Sequence, residues 1–253
     1  MNLHYRKFGS GEPLFILHGL FGSSDNWISL GRKFAEKYTV VLVDQRNHGQ
    51  SPQSDEWDYQ VMASDIQQLA AKLGFDEINL LGHSMGGKVG ITIADKYPGL
   101  IKKLVVADIA PKSYPIRHRM IIDGLLSINL DLIDSRQEAD IQLENYVPEP
   151  GIRQFLLKNL DRDNGNFKWK INLEVINNHL ENVGEATLPS AEISIPVLFI
   201  RGINSDYVTD EDIMEIRTYF TNSTVESIGN AGHWLHAEQP EAFVKTVLHF
   251  LEN

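Results

Sequence analysis

Short apolar runs alternate with amphipathic stretches along most of the chain, the pattern left by buried strands joined through crossover helices in a mostly parallel sheet. The runs Leu14–Leu17, Thr39–Val43, Ile78–Leu81, Leu104–Ala107 and Val197–Ile200 are leucine-rich or β-branched, and each stops at His, Asp, Gly or Arg. Nearly continuous apolar runs of this length predict strands covered on both faces. Val225–Ile228 reads as a more polar last strand, and Leu3–Phe8 as an exposed leading strand at the sheet's edge. Helical spacing falls over Asn26–Lys37, Tyr59–Leu73, Met85–Lys96, Asp210–Tyr219 and Glu241–Leu251.

The alternation breaks once. From Lys112 to Ser190 no run reads as a strand, and Pro148, Pro150, Gly151, Gly165 and Pro189 punctuate four helical stretches: Ile116–Ile128, Arg136–Tyr146, Ile152–Leu160 and Trp169–Asn182. The block falls between one strand and the next. It is expected to be a helical cap, 112–190, inserted into a core built from 1–111 and 191–253. There are no internal repeats and no low-complexity tract.

Composition narrows the partners. The 253 residues are 42% hydrophobic and 23% charged, ordinary globular values that exclude disorder and fibrous repeats. Lys and Arg number 23 against 34 Asp and Glu, a net charge of −11 that repels phosphate backbones and anionic lipid. The nearest approach to a basic patch is the pair Lys102-Lys103. No nucleic acid and no membrane partner is therefore expected. The chain has no cysteine, so disulfides, thiolate metal sites and cysteine nucleophiles are excluded. Met1–Phe8 lacks the apolar run of a signal peptide and no stretch of 18 uninterrupted apolar residues occurs, so a cytoplasmic location is expected.

The strongest chemical signal is Gly82-His83-Ser84-Met85-Gly86, directly after one strand and directly before a helix. A serine on so sharp a turn needs glycine two residues either side, because strand and helix then approach closely. The turn lifts the hydroxyl off the sheet and sets Ser84 at a helix N-terminus, which favours negative charge. Acyl transfer also needs two N–H donors for the developing oxyanion. Met85, after the nucleophile, supplies one, and Leu20 in His18-Gly19-Leu20-Phe21-Gly22 is the natural second. His233, in Gly232-His233-Trp234, follows the last strand as the chain order Ser, acid, His requires; His236 is its nearby rival. His4, His118, His179 and His249 are expected to be solvated.

The acid has two candidates. Serine hydrolases of this pattern commonly place an aspartate three residues before the valine at 208; here Ser205 fills that slot and Asp206 follows one residue late. Asp108 instead ends the strand Leu104–Ala107, at the carboxyl edge where ligands bind in parallel sheets. Asp44–Ser51 reads as a structural turn braced by Arg46. The chain shows no H-E-x-x-H, no aspartate cage, no P-loop and no well-placed G-x-G-x-x-G, so no metal and no cofactor are expected.

These residues carry a resemblance. Gly-His-Ser-Met-Gly-Gly at 82–87, His-Gly-Leu-Phe-Gly-Ser at 18–23, the Asp44–Ser51 segment and Gly-His-Trp-Leu-His-Ala-Glu at 232–238 resemble the α/β-hydrolase fold. More narrowly, Asp-Ile-Ala-Pro at 108–111 and Gly-x-Asn-Ser-x-Tyr-Val at 202–208 are similar to the small bacterial YbfF-type esterases and their mitochondrial relatives. The resemblance implies an α/β-hydrolase fold, with a mostly parallel eight-stranded sheet flanked by helices and a helical cap. It implies the acid at Asp108 with Ser205 joining the constellation. The sequence departs by carrying Asp206 where that family often has proline, which keeps the choice between Asp108 and Asp206 open. The implied activity is a serine carboxylesterase for small to medium acyl esters, working through an acyl-enzyme. Phe21, Trp234, Ile121 and Leu125 are expected to line the acyl pocket. The same triad could serve an acyl-CoA thioesterase, a carbon–carbon bond hydrolase or a perhydrolase, and a slow-turnover receptor or an interaction protein with a fossil site is the alternative of another class. A monomer or weak homodimer is expected.

Overall fold

The structure is a computed structural model that describes residues 1–163 and 165–253. Strands β1 (Tyr5–Phe8) and β2 (Pro13–Leu17) lead through a 3₁₀ turn at Ser24–Trp27 to helix α1 (Ile28–Phe34). Then follow β3 (Thr39–Val43), α2 (Tyr59–Lys72), β4 (Ile78–His83), α3 (Met85–Lys96) and β5 (Ile101–Ala107). After the insertion come β8 (Val197–Gly202), α9 (Asp210–Tyr219), β9 (Ser223–Ile228), α10 (Leu235–Glu238) and α11 (Pro240–Glu252). The strands order as β1-β3-β2-β4-β5-β8-β9, parallel throughout except β1, which runs antiparallel to β3 from Tyr5↔Val43 to Phe8↔Val40. The expected count of eight is corrected to seven: the leading segment forms one edge strand, and no eighth strand joins this sheet among the described residues.

The apolar runs are explained by burial on both faces. In β2, Phe15 and Leu17 belong to the cluster shared with α2 and α3, while Leu14 and Ile16 belong to the opposite cluster with α1 and α11. Alternate residues of a strand face opposite ways, so a strand sandwiched between helix layers must be apolar throughout. Helix α2 starts where Asp58 accepts the N–H groups of Gln60 and Val61, both at 2.8 Å.

Between β5 and β8 the chain forms α4 (Arg119–Ser127), α5 (Arg136–Leu143), α6 (Pro150–Leu157), a hairpin of β6 (Leu160–Asp163) and β7 (Asn166–Trp169), then α7 (Leu173–Asn178) and α8 (Leu180–Gly184). The hairpin corrects the expectation of helices alone. Its strands are four residues each and mostly polar, too short for periodicity to register. The Asn164-Gly165 dipeptide is the signal that could have found it, since Asn-Gly favours tight hairpin turns; Asn164 itself lies outside the described residues. The stretch read as one helix over Trp169–Asn182 starts as strand and divides into α7 and α8. Where the insertion leaves and rejoins the sheet, its two ends are tied together: Tyr114 N–H donates to Gly184 C=O at 2.8 Å and Thr187 N–H to Pro111 C=O at 2.7 Å.

Candidate active site

Ser84 sits between β4 and α3 with φ 52° and ψ −117°, a left-handed conformation that a residue with a Cβ adopts only under constraint. The constraint is close packing. A Cβ on Gly82 would overlap the Gly86 carbonyl, and one on Gly86 would lie 2.5 Å from the Leu17 carbonyl oxygen. Ser84 N–H donates to Ala107 C=O at 2.9 Å, locking the turn to the end of β5.

Three side chains meet there. The Ser84 hydroxyl donates to His233 Nε2 at 3.0 Å, and His233 Nδ1–H donates to Asp108 Oδ2 at 2.8 Å. Asp108 is wholly buried and left-handed at φ 52°. Its Oδ1 accepts the Gly202 N–H at 3.0 Å, and Ser205 Oγ donates to its Oδ2. Tyr207 stacks on the His233 ring, 3.8 Å between centroids and 16° from parallel. Asp206 turns away to solvent: its side chain is 72% exposed and takes Arg117 Nη1 at 2.7 and 2.8 Å. The Arg117 guanidinium holds that carboxyl below the usual aspartate range. Of the two candidate acids, Asp108 therefore faces the imidazole and Asp206 does not.

The loop 18–22 lies against the serine, since a Cβ on Gly19 would stand 3.3 Å from Ser84 Cβ. Gly19 C=O accepts from Gly22 N–H at 3.0 Å and from His18 Nδ1–H at 2.8 Å. His18 Nε2 in turn accepts the Gln45 N–H at 3.1 Å, which fixes the tautomer. In a trans peptide the N–H points opposite to the C=O, so both donors on Gly19 C=O aim the Leu20 N–H the other way. Among the described residues neither Leu20 N–H nor Met85 N–H has a backbone acceptor. Phe21, left-handed at φ 61°, gives its N–H to His48 Nε2 at 3.3 Å.

A family model described as the alpha/beta hydrolase fold matches residues 12–126. The sn-1-specific diacylglycerol lipase ABHD11 of Danio rerio is 38% identical, over 100% of this chain and 83% of that protein. Esterase YbfF of Escherichia coli is 32% identical, over 96% of this chain and 94% of its own.

The chain belongs to the α/β-hydrolase family.

Among solved structures, one described as a marine microorganism esterase is 42% identical and superposes with a TM-score of 0.96 over 98% of both chains. The E-2-(acetamidomethylene)succinate hydrolase structure, at 22% identity and a TM-score of 0.83, shares the fold.

In this α/β-hydrolase a cavity of about 290 Å³ opens onto Ser84. Phe21, Trp234 and Ile121 line it, and α6 adds Ile152, Phe155 and Leu156. Leu125 corrects the expected lining. One turn along α4 from Ile121, about 6 Å of helix rise, it is fully buried in the apolar core with Ile122. His118, expected in solvent, lines the cavity beside Phe21 with ring centroids 6.1 Å apart, and burial pushes its pKa down to about 4. Helical position alone gave no sign of this. His236 stacks on Trp27 at 4.3 Å and 10°, and burial takes it to about 3. His83, which the sequence reading leaves without a role, donates its Nε2–H to the His233 carbonyl at 2.8 Å and so ties the Ser84 and His233 turns together. The Asp44–Ser51 segment is built as a brace. Arg46 reaches Asp65 through Nε at 2.7 Å and Nη2 at 3.1 Å, and Asp44 accepts the N–H groups of Ser24 and Gln50. No cluster of three or more His, Asp or Glu able to hold a metal occurs among the described residues.

Proposed function

We propose that Ser84 is the nucleophile, His233 the general base and acid, and Asp108 the orienting carboxylate of a two-step acyl transfer on small to medium acyl esters. The protein is a carboxylic ester hydrolase of the α/β-hydrolase family. The observation that carries the residue roles is the unbroken relay Ser84 Oγ–H to His233 Nε2 and His233 Nδ1–H to Asp108, at 3.0 and 2.8 Å.

Ser84 Oγ attacks the ester carbonyl carbon while His233 Nε2 takes its proton. The Leu20 and Met85 N–H groups receive the charge that moves onto the carbonyl oxygen, each donor of this kind contributing roughly 3 kcal/mol. The carbon–oxygen bond to the alcohol breaks as His233 returns the proton to the departing oxygen. Water then enters, His233 takes its proton, and the acid leaves with Ser84 restored. Asp108, with Ser205 on its second lone pair, holds the imidazole in the tautomer that leaves Nε2 free.

The cavity supports the substrate class. Its volume lies at the small end of ligand pockets, about 300–1,000 Å³, which suits one short to medium acyl chain. The segment 112–190 serves as a helical cap, a reading supported by its residues Ile121, Ile152 and Phe155 in the cavity lining. A net charge of −11 supports a dispersed enzyme, monomer or weak homodimer, that acts on dissolved esters, and a cytoplasmic location is part of the same proposal. No helix among the described residues is long and apolar enough to cross a membrane.

Ser84→Ala tests the assignment. Turnover of a p-nitrophenyl acyl ester is expected to fall roughly a millionfold with thermal unfolding unchanged, because triad members act as a unit. A fluorophosphonate should label the peptide containing Ser84. Label on another serine, or full activity in the alanine variant, rejects the nucleophile.

A further inference from the structure

The loop that offers Leu20 is held by a residue from outside the sheet. Asn159 lies just beyond α6, within the insertion, and is 3% exposed. Its Nδ2 donates to Phe21 C=O at 2.7 Å and to Leu156 C=O at 3.1 Å. Phe21 is the left-handed residue of the loop, a conformation that persists only where the surroundings over-determine it. His48 takes its N–H from the core side, and Asn159 supports its carbonyl from the insertion side. Both polar groups of one strained residue are thus spoken for, by two different parts of the chain.

We infer that Asn159 is a positioning residue for the oxyanion hole: by fixing the Phe21 carbonyl it keeps the adjoining Leu20 N–H aimed at the substrate oxygen, so the hole is complete only while the insertion is seated. The inference rests on the proposed oxyanion role of Leu20. The Phe21 C=O and the Gly22 N–H belong to one peptide, and that N–H donates to Gly19 C=O, whose own peptide carries the Leu20 N–H, so a rotation that frees the Phe21 carbonyl also releases the Leu20 N–H from its aim. Without the Asn159 amide a buried carbonyl loses its donor, and that is costly unless the chain rearranges. The effect belongs to the transition state, since the oxyanion donor binds developing charge far better than a neutral carbonyl. It should therefore fall on kcat and spare KM.

Two substitutions at Asn159 and one at Leu20 test this with the full chain and a p-nitrophenyl ester. Asn159→Leu keeps the size and removes the donor. It should lower kcat by on the order of 10- to 100-fold, below the 10²–10³ seen when a donor is deleted outright, with KM within about twofold. Asn159→Asp keeps the shape but places a carboxylate against a carbonyl. It should be the weaker enzyme at pH 8 and recover relative to wild type as the pH falls to 5, because burial against two carbonyls raises the carboxyl above its usual range and its protonated form can donate. The titratable side chains that contact Phe21, His48 and His118, are held near 3 and 4 and stay neutral through that range. A loss expressed in KM, a loss that tracks the unfolded fraction in thermal melts, or an Asn159→Asp ratio flat with pH overturns the inference. Leu20→Pro removes the N–H itself. If that variant is fully active, the oxyanion reading falls and takes the inference with it; if it is crippled while Asn159→Leu is not, the inference alone falls.

Discussion

Two aspartates compete on paper for one histidine, and what separates them is where each chain segment ends. Asp108 closes a fully buried strand and is held by Gly202 N–H, Ser205 and His233, whereas Asp206 stands one residue past the loop's inward position and pairs with Arg117 at the surface. Asp108→Asn should lower kcat about 10⁴-fold, the cost of losing tautomer control and imidazolium stabilisation. Asp206→Asn should cost about tenfold or less, because an exposed ion pair contributes little. Ser205→Ala should fall between them, since its hydroxyl supports the carboxylate but carries no charge. Steady-state kinetics with thermal melts on the three variants check this ordering, and a crippled Asp206→Asn beside a near-normal Asp108→Asn would reverse the roles. Ser84 and His233 were legible because local steric demands write them into the sequence as glycine-flanked turns. His118, His48 and Asn159 were not, because their partners lie far along the chain and burial is a property of the assembled fold.

At the scale of elements, helix α3 carries a second polar feature one turn beyond the serine. Lys88 is 1% exposed; its Nζ donates to the carbonyls of Lys112 and Glu185, at the two ends of the insertion, and lies over the rings of Tyr59 and Tyr114 at 5.5 and 5.0 Å. Burial pushes its pKa down to about 8, with the Glu185 carboxylate pulling the other way. Burial likewise raises both tyrosines above the usual phenol range, so they do not ionise in the same window. In the unfolded chain the lysine keeps its proton to about 10.4. Between about pH 8 and 10 the unfolded state thus binds more protons, and the contribution of this group to stability rises with pH. Urea unfolding of wild type and Lys88→Met at pH 7.5 and 9.5 should show the wild type gaining relative to the variant at the higher pH; a pH-independent difference would show that Lys88 stays charged. The long elements were readable in advance, and α3 and α9 match their expected limits, because 12 and 10 residues carry a helical period over several turns. The β6–β7 hairpin and the break between α7 and α8 were not, since short, half-exposed pieces take their form from what they pack against.

For the whole molecule, the proposed cap sets an outer segment with exposed joints against a sheet whose central strands are sealed. Glu149, Pro150 and Gly151 are exposed, whereas β4 is buried at every position. Limited proteolysis should therefore cut first near Glu149–Gly151, with cleavage followed by mass spectrometry; first cuts inside the core strands would contradict a separable cap. The division also bears on synthesis. Everything from β1 to Asp108 precedes the insertion, yet His233 lies 149 residues beyond Ser84 and 125 beyond Asp108. Closing so long a loop is thermodynamically mild, about 0.6 kcal/mol for each doubling of length, but the contacts it earns come late. A chain emerging from the ribosome can set Ser84 on its turn and bury β5 while the edge destined for β8 is still open. That bare edge can recruit another nascent chain. Enzyme activity will be the last property to arrive, and the interval before it is when the protein is most exposed to a chaperone or to its own neighbours.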